Sequence, residues 1–335
     1  MTALCNFTYL QVNRAHSLHI KQKGYTIVEL MVVLVVSLFL VGGILSVFVA
    51  TKALTKETIS ASNRQENAAF ALQALSQDLK QSYFFAEASG ENNGLWLTPP
   101  AFPAITDDCV DKESNGSFPA SGNYRALWAD TVSGATPTMT CIKDTDTETE
   151  LVDNSDYISI KRARGLDQTA PHQDDRYYLS ITPLGIQAYL GKDVTTNKHL
   201  WEYIHHVYYL DRVGDMPRLR RINLQKGKMV ADEIIAEGIE NMKFMFALDK
   251  LSVALRDGAA HDFVNSTAVT SDDWDSGRVV GIKIFLLVRS KEKIAGRKDN
   301  ETYQLGSFSH PAGGDAYKRE VVSRVLMFSN NMSSN

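Results

Sequence analysis

Three patterns of apolar and polar positions divide the chain. The first is an unbroken apolar run: from Leu30 to Thr51 there are 22 residues without a charge. At about 1.5 Å per residue, a helix of that length spans the ~30 Å hydrocarbon layer of a bilayer. The second is a helical stripe. Ala68, Leu72, Leu75, Leu79, Tyr83 and Ala86 recur at spacings of three and four, with Asn67, Gln73, Gln77, Lys80 and Gln81 between them. That spacing belongs to a helix burying one face against a folded body. No proline occurs before Pro99, so the two patterns predict one long helix from about Thr26 to about Phe85. The polar stretch Ser60–Glu66 is the natural place for a bend.

The third pattern follows residue 155 and is dominated by strands. Tyr157–Ile160, Tyr177–Ile181 and Ile204–Leu210 are short and rich in aromatic or β-branched residues. Arg218–Leu224 is a further candidate with Pro217 at its edge. Alternate residues from Met242 to Leu248 are apolar, and Val280, Ile282, Ile284, Leu286 and Val288 line one face of another strand. Val321–Phe328 makes a last strand, and Met229–Gly238 reads as a short helix or turn. Residues 87–155, rich in glycine and proline, predict loops and short strands, some of them closed by a disulfide. The expected fold class is α+β, one long N-terminal helix laid on antiparallel sheet.

The apolar run is preceded by Arg14, Lys21 and Lys23, which the positive-inside tendency holds in the cytoplasm, placing the rest across the membrane. A secretory signal peptide has the same order, but its core is only ~7–15 residues and a small-x-small cleavage site follows it. Neither feature fits here. A plain single-pass anchor accounts for the length and flanks equally well. It leaves Glu29 unexplained, a lone carboxylate near the cytoplasmic mouth of an apolar helix, where such a group is costly and tends to have a dedicated partner. Gly42 and Gly43 read equally as a closely packed position or as one that melts locally.

Gly24-Tyr25-Thr26-Ile27-Val28-Glu29-Leu30 resembles the prepilin cleavage and N-methylation motif of type IV pilins and type II secretion pseudopilins. Tyr25 stands where the family usually has phenylalanine. The resemblance implies that a prepilin peptidase and N-methyltransferase cuts after Gly24 and methylates the new amine of Tyr25, leaving 311 residues. It also implies a role for Glu29 in assembly, facing the terminal ammonium of a neighbouring subunit and setting axial register. An ammonium among apolar helices is strongly penalised unless a carboxylate compensates it. Glu29 is also four residues from its own amine.

The later chain resembles PilW-type minor pilins, and more distantly the J-type minor pseudopilin, at Ile235–Phe244, Val279–Ser290 and Tyr317–Val325; Asn67–Leu79 matches the family's helical spine. The expected organisation is a leader over 1–24, a transmembrane and assembly half-helix over 25–50 and an amphipathic half over 51–86. A loop-rich insertion over 87–155 and a β-rich domain over 156–335 follow. The family implies a single-pass inner-membrane protein with its domain in the periplasm, later carried to the pilus and cell surface. Its implied partners are other minor and major pilins, the peptidase and the inner-membrane assembly platform.

Composition sets outer limits. Charged residues make up 22% and hydrophobic ones 44%, too apolar for a disordered chain. Three of the 35 basic residues lie in the leader, so 32 face 39 acids elsewhere. A negative body argues against nucleic acid as a partner. With Cys5 in the leader, Cys109 and Cys141 remain, enclosing 31 residues. A disulfide there would contribute about 3–4 kcal/mol; two buried thiols are the alternative. Neither zinc nor redox chemistry has a Cys-x-x-Cys spacing to rest on.

The candidate chemistry is sparse. His205 and His206 are adjacent in a strand, so they point to opposite faces, one packed and one in solvent. Asp272, Asp273 and Asp275 surround Trp274, and Asp174 and Asp175 are paired, but neither group has calcium-loop spacing and both read as solvated turns. Lys291, Lys293, Arg297 and Lys298 form a basic cluster on an expected loop. No nucleophile elbow, phosphate loop or zinc helix occurs, so the expectation is no enzyme, no cofactor and no metal. The leading function is a structural minor pilin that primes pilus assembly at or near the filament tip. The alternatives are a minor pseudopilin of a secretion filament and a tip adhesin binding a surface ligand or DNA.

Overall fold

A computed structural model describes residues 24–86, 104–110, 116–118, 124–134, 137, 139–143, 149–168, 173–182, 185–194, 200–252 and 255–329. The leader up to Lys23 and much of the loop-rich insertion lie outside the described residues. The two N-terminal patterns merge into one helix, α1 (Ile27–Lys80, 54 residues), with no break over 60–66. The helix closes in a tightened turn: the Gln81 and Ser82 N–H groups donate to the carbonyls of Asp78 and Leu79. Tyr83 then takes a left-handed φ of 61°.

The chain divides between Glu57 and Thr58 into two units. In the first, every described side chain of α1 is exposed, and the helix is long and apolar enough to cross a membrane. In the second, α1 buries Ala68, Ala71, Leu72, Leu75 and Leu79, the stripe read from the sequence plus Ala71.

The first sheet contains β1 (Leu127–Thr131), β2 (Thr149–Leu151), β3 (Asp156–Gln168), β4 (Tyr177–Thr182), β5 (Gly185–Leu190), β6 (Leu200–Val213), β7 (Met216–Gln225) and β8 (Lys228–Glu237). Its hub is β6, which pairs antiparallel with β2, β3, β4 and β7. Then come β9 (Ile239–Leu248), β10 (Asp262–Asn265), a one-turn helix α2 (Ser271–Asp275), β11 (Val279–Arg289), the hairpin β12 (Thr302–Leu305) and β13 (Phe308–Pro311), and β14 (Arg319–Met327). The second sheet runs β10-β9-β11-β14, all antiparallel.

Register explains the alternation in this sheet. Ile282, Ile284 and Leu286 sit opposite Phe246, Phe244 and Met242, and all six are buried in the main core with the α1 stripe. The other face of β11 carries Phe285 and Leu287, which form a small second core with Leu305 of β12. The hairpin therefore covers the face that looks mixed in sequence.

Met229–Gly238, read as a helix or turn, is instead strand β8. Lys226 (φ 53°) and Gly227 (φ 76°) form a two-residue turn of the primed type, and Gln225 pairs with Lys228 to close a β7–β8 hairpin. Pairing with β7 outweighs the helix-forming alanine and glutamate content of the segment. Pro217 lies second in β7, and its carbonyl accepts from Gly238 N–H.

The two sheets are joined at Asp156, which is buried. Its carboxylate accepts from Thr131 Oγ1 (2.7 Å), Lys243 Nζ (2.8 Å), Phe244 N–H (2.9 Å) and Ser266 Oγ (2.9 Å). A buried charge is tolerable only with such a full set of donors.

Cys109 and Cys141 are joined by a disulfide. Beside it, Asp108 accepts from Ser117 Oγ (2.5 Å), and Ser117 Oγ meets His205 Nδ1 (2.8 Å). His205 Nε2 meets Ser159 Oγ (2.9 Å). Burial, then the nearby Lys161 and His206, hold the His205 pKa well below the ordinary value of 6.5. The folded state thus binds fewer protons than the unfolded one just below that pH. Stability is complete above pH 6.5 and declines as pH falls, by up to about 1.4 kcal/mol per pH unit. Thermal melts of the detergent-solubilised chain should drop between pH 7 and 5.5, and His205→Gln should flatten the drop. A wild-type melt independent of pH over that interval contradicts this.

Candidate processing and assembly site

Gly24, Tyr25 and Thr26 precede the first turn of α1. Thr26 caps it: Thr26 Oγ1 accepts the Glu29 N–H (3.2 Å) and the Thr26 carbonyl accepts the Leu30 N–H (3.1 Å). Thr26 and Glu29 thus occupy the Thr-x-x-Glu positions of a capping box. Glu29 is the acid in the first turn, where a negative charge meets the positive end of the helix dipole. The sequence reading missed this cap, although the three-residue spacing is its signal. The motif's trio therefore has a structural part, since Thr26 fixes where the helix begins two residues after Gly24.

The surroundings of the site are unusual for a folded protein. Tyr25 is 83% exposed, and Ile27, Val28, Leu30 and Met31 are all exposed. An apolar surface of this extent is stable only against lipid or another protein. Gly42 and Gly43 have nothing within 4 Å of an added Cβ, so the described residues impose no packing limit on them. The Glu29 carboxylate meets no cation among the described residues, leaving it open to one from outside.

Two family models match the chain. The prokaryotic N-terminal methylation motif covers residues 20–45, and type IV pilus-assembly protein W covers residues 207–330, from within β6 to beyond the last residue of β14. The two matches support a type IV pilus minor pilin of the PilW type. A type IV-like pilin from Thermus thermophilus is 10% identical, with 80% of this chain and 96% of that one covered and a TM-score of 0.37. No curated protein matches the sequence.

Beside its apolar stripe, α1 is tied to the first sheet by a buried carboxylate. Asp78, on the buried side of α1, accepts from Arg162 Nη2 (2.7 Å), His206 Nδ1 (2.5 Å) and Tyr208 OH (2.5 Å). Burial alone would raise its pKa, but the facing His206 and Arg162, with bonds from His206 and Tyr208, hold it far below the usual carboxylate range. Arg221 lies 3.9 Å away and binds Glu233. His206 therefore does not face solvent, as its alternation with His205 suggested. Both faces of β6 are covered, one by α1 and the other by the Ser117 segment.

The remaining candidates fall into structural places. Asp272, Asp273, Trp274 and Asp275 form α2 rather than a solvated turn. Thr270 and Asp273 make a full capping box, Trp274 packs edge-on to Phe246 at 4.9 Å, and Asp275 pairs with Arg125 at 2.6 Å. Burial of Trp274 draws the turn onto the core. Asp174 and Asp175 stay in a turn, and their carbonyls accept from Lys192 and Lys226. In the basic cluster, Lys291 pairs with Glu237, Lys293 with Asp215 and Arg297 with Asp299, which reduces the field offered to a polyanion.

Asp108, Ser117 and His205 run carboxylate–hydroxyl–imidazole, so the carboxylate binds the hydroxyl instead of orienting the imidazole as in a hydrolytic triad. Ser117 and His205 are also fully buried. Donor atoms of Asp249, Asp257 and His261 lie within 4.8 Å of one another. Asp249, however, already accepts the N–H groups of Leu251 and Gly258 and clips its own loop.

Proposed function

We propose that this minor pilin primes type IV pilus assembly from the inner membrane and remains at or near the filament tip. The observation that carries the reading is the prepilin motif, capped by Thr26, opening an apolar helix that the described residues leave uncovered. In this reading the periplasmic domain awaits export while prepilin peptidase cuts after Gly24 and methylates Tyr25. The exposed helix then exchanges lipid for the helices of other minor and major pilins. Assembly is driven through the inner-membrane platform, and the chain itself does no chemistry. The length, well above that of a typical major pilin, supports a low-copy position.

Deleting the gene should sharply cut the number of filaments per cell, since a lost initiation complex leaves growth unprimed. Gold label on the full chain should mark filament ends. Unchanged filament counts would remove the priming role. Normal pili with lost protein secretion would assign the chain to a secretion filament instead.

A further inference from the structure

The second sheet ends in β14, and among the described residues the outer backbone edge of that strand is unpaired. Pairing with β11 is unbroken from Arg319↔Arg289 to Met327↔Gly281. At the two ends, Phe328 N–H donates to the Val280 carbonyl and Ser290 N–H to the Lys318 carbonyl. Bonded positions alternate in an antiparallel ladder, so the even-numbered residues turn their backbone groups to β11. Ser323, Val325 and Met327 turn theirs outward. No described strand pairs on that side, and all three residues are exposed.

The usual protections of a sheet edge are a proline, a bulge, a very short strand or inward-pointing charges. The opposite edge has one of these: β10 is only four residues long. By contrast, β14 runs nine residues without proline or a register shift. Its outward positions present Val325 (52% exposed) and Met327 (46%) on the face where Phe263 (39%) is also exposed. Alternating backbone N–H and C=O groups beside an apolar shelf fit an extended strand.

We propose that the Ser323–Met327 edge of β14 takes up an extended segment of another pilin subunit, continuing the second sheet across the subunit boundary. Arg324 defines the chemistry of that segment. It is exposed on the α1 side of the sheet, and its Nη1 reaches Ser76 Oγ of α1 at 3.2 Å, with no carboxylate beside it among the described residues. The incoming strand is therefore apolar on the Val325 side and carries a carboxylate opposite Arg324.

This inference rests on the pilin reading, and the test separates the two. Val325→Pro deletes one outward N–H without touching a β11 bond, while Val325→Thr keeps the N–H and the branched shape. The full chain, tagged, is expressed in cells that build the filament and recovered with sheared filaments. Val325→Pro should be recovered about fivefold less than Val325→Thr, the effect of one lost hydrogen bond. Hydrogen exchange on the wild-type chain gives a readout independent of any variant. In detergent the Ser323, Val325 and Met327 amides should exchange fast while their even-numbered neighbours are protected; in filaments all should be slow. Equal recovery of the two variants, or fast exchange of the three amides in filaments, overturns the proposal. If instead the wild-type chain is missing from filaments, the pilin reading fails and the proposal with it.

Discussion

Asp78→Ala is expected to destabilise the folded domain by about 3–5 kcal/mol, the cost of leaving a buried cation without its partner. Arg162, whose side chain is 8% exposed, would lose its one carboxylate partner among the described residues, and Tyr208 and His206 would lose an acceptor. The loss should appear as a shifted denaturant midpoint of the detergent-solubilised chain. Paired with Arg162→Met, it should show strong coupling, because the double variant removes the stranded charge. A midpoint change worth less than about 1 kcal/mol would show that Asp78 is not the latch between α1 and the sheet. The pH sign follows from the depressed carboxyl. Its contribution is present above the ordinary carboxylate value of 3.8 and is lost only as pH falls below that, well under the window in which His205 acts.

Glu29→Ala is expected to leave leader removal intact and to lower incorporation into filaments at least about tenfold. That factor corresponds to about 1.4 kcal/mol, within the range for a charge pair in an apolar setting. The Thr26 cap predicts a smaller local effect too, since the Glu29 N–H bond to Thr26 Oγ1 survives the substitution. Comparing processed chain in the membrane with chain in sheared filaments separates processing from assembly. Normal incorporation of the variant would mean that Glu29 serves only the helix dipole.

The helix and the core strands were readable because a single physical requirement governs them. Ala68, Leu72, Leu75 and Leu79 repeat at the helical period and are buried; Ile282, Ile284 and Leu286 repeat at the strand period and are buried. The elements that resisted reading depend on partners distant in sequence. β8 exists because β7 offers it a ladder through the Lys226–Gly227 turn, and its own residues leave the choice open. His206 is turned toward Asp78, 128 positions away, and no local pattern foretells that. The same holds for Asp156, whose donors come from β1, β9 and the turn after β10. At the start of α1, the cap formed by Thr26 went unread although its three-residue spacing to Glu29 signals it.

Intact-mass and peptide mass spectrometry of the chain, taken from cells with active prepilin peptidase, probes the root of the account. The expected product begins at Tyr25, carries one methyl group on its α-amine and contains 311 of the 335 encoded residues. A chain that still begins upstream of Tyr25 in those cells would contradict the account and leave an ordinary anchored domain.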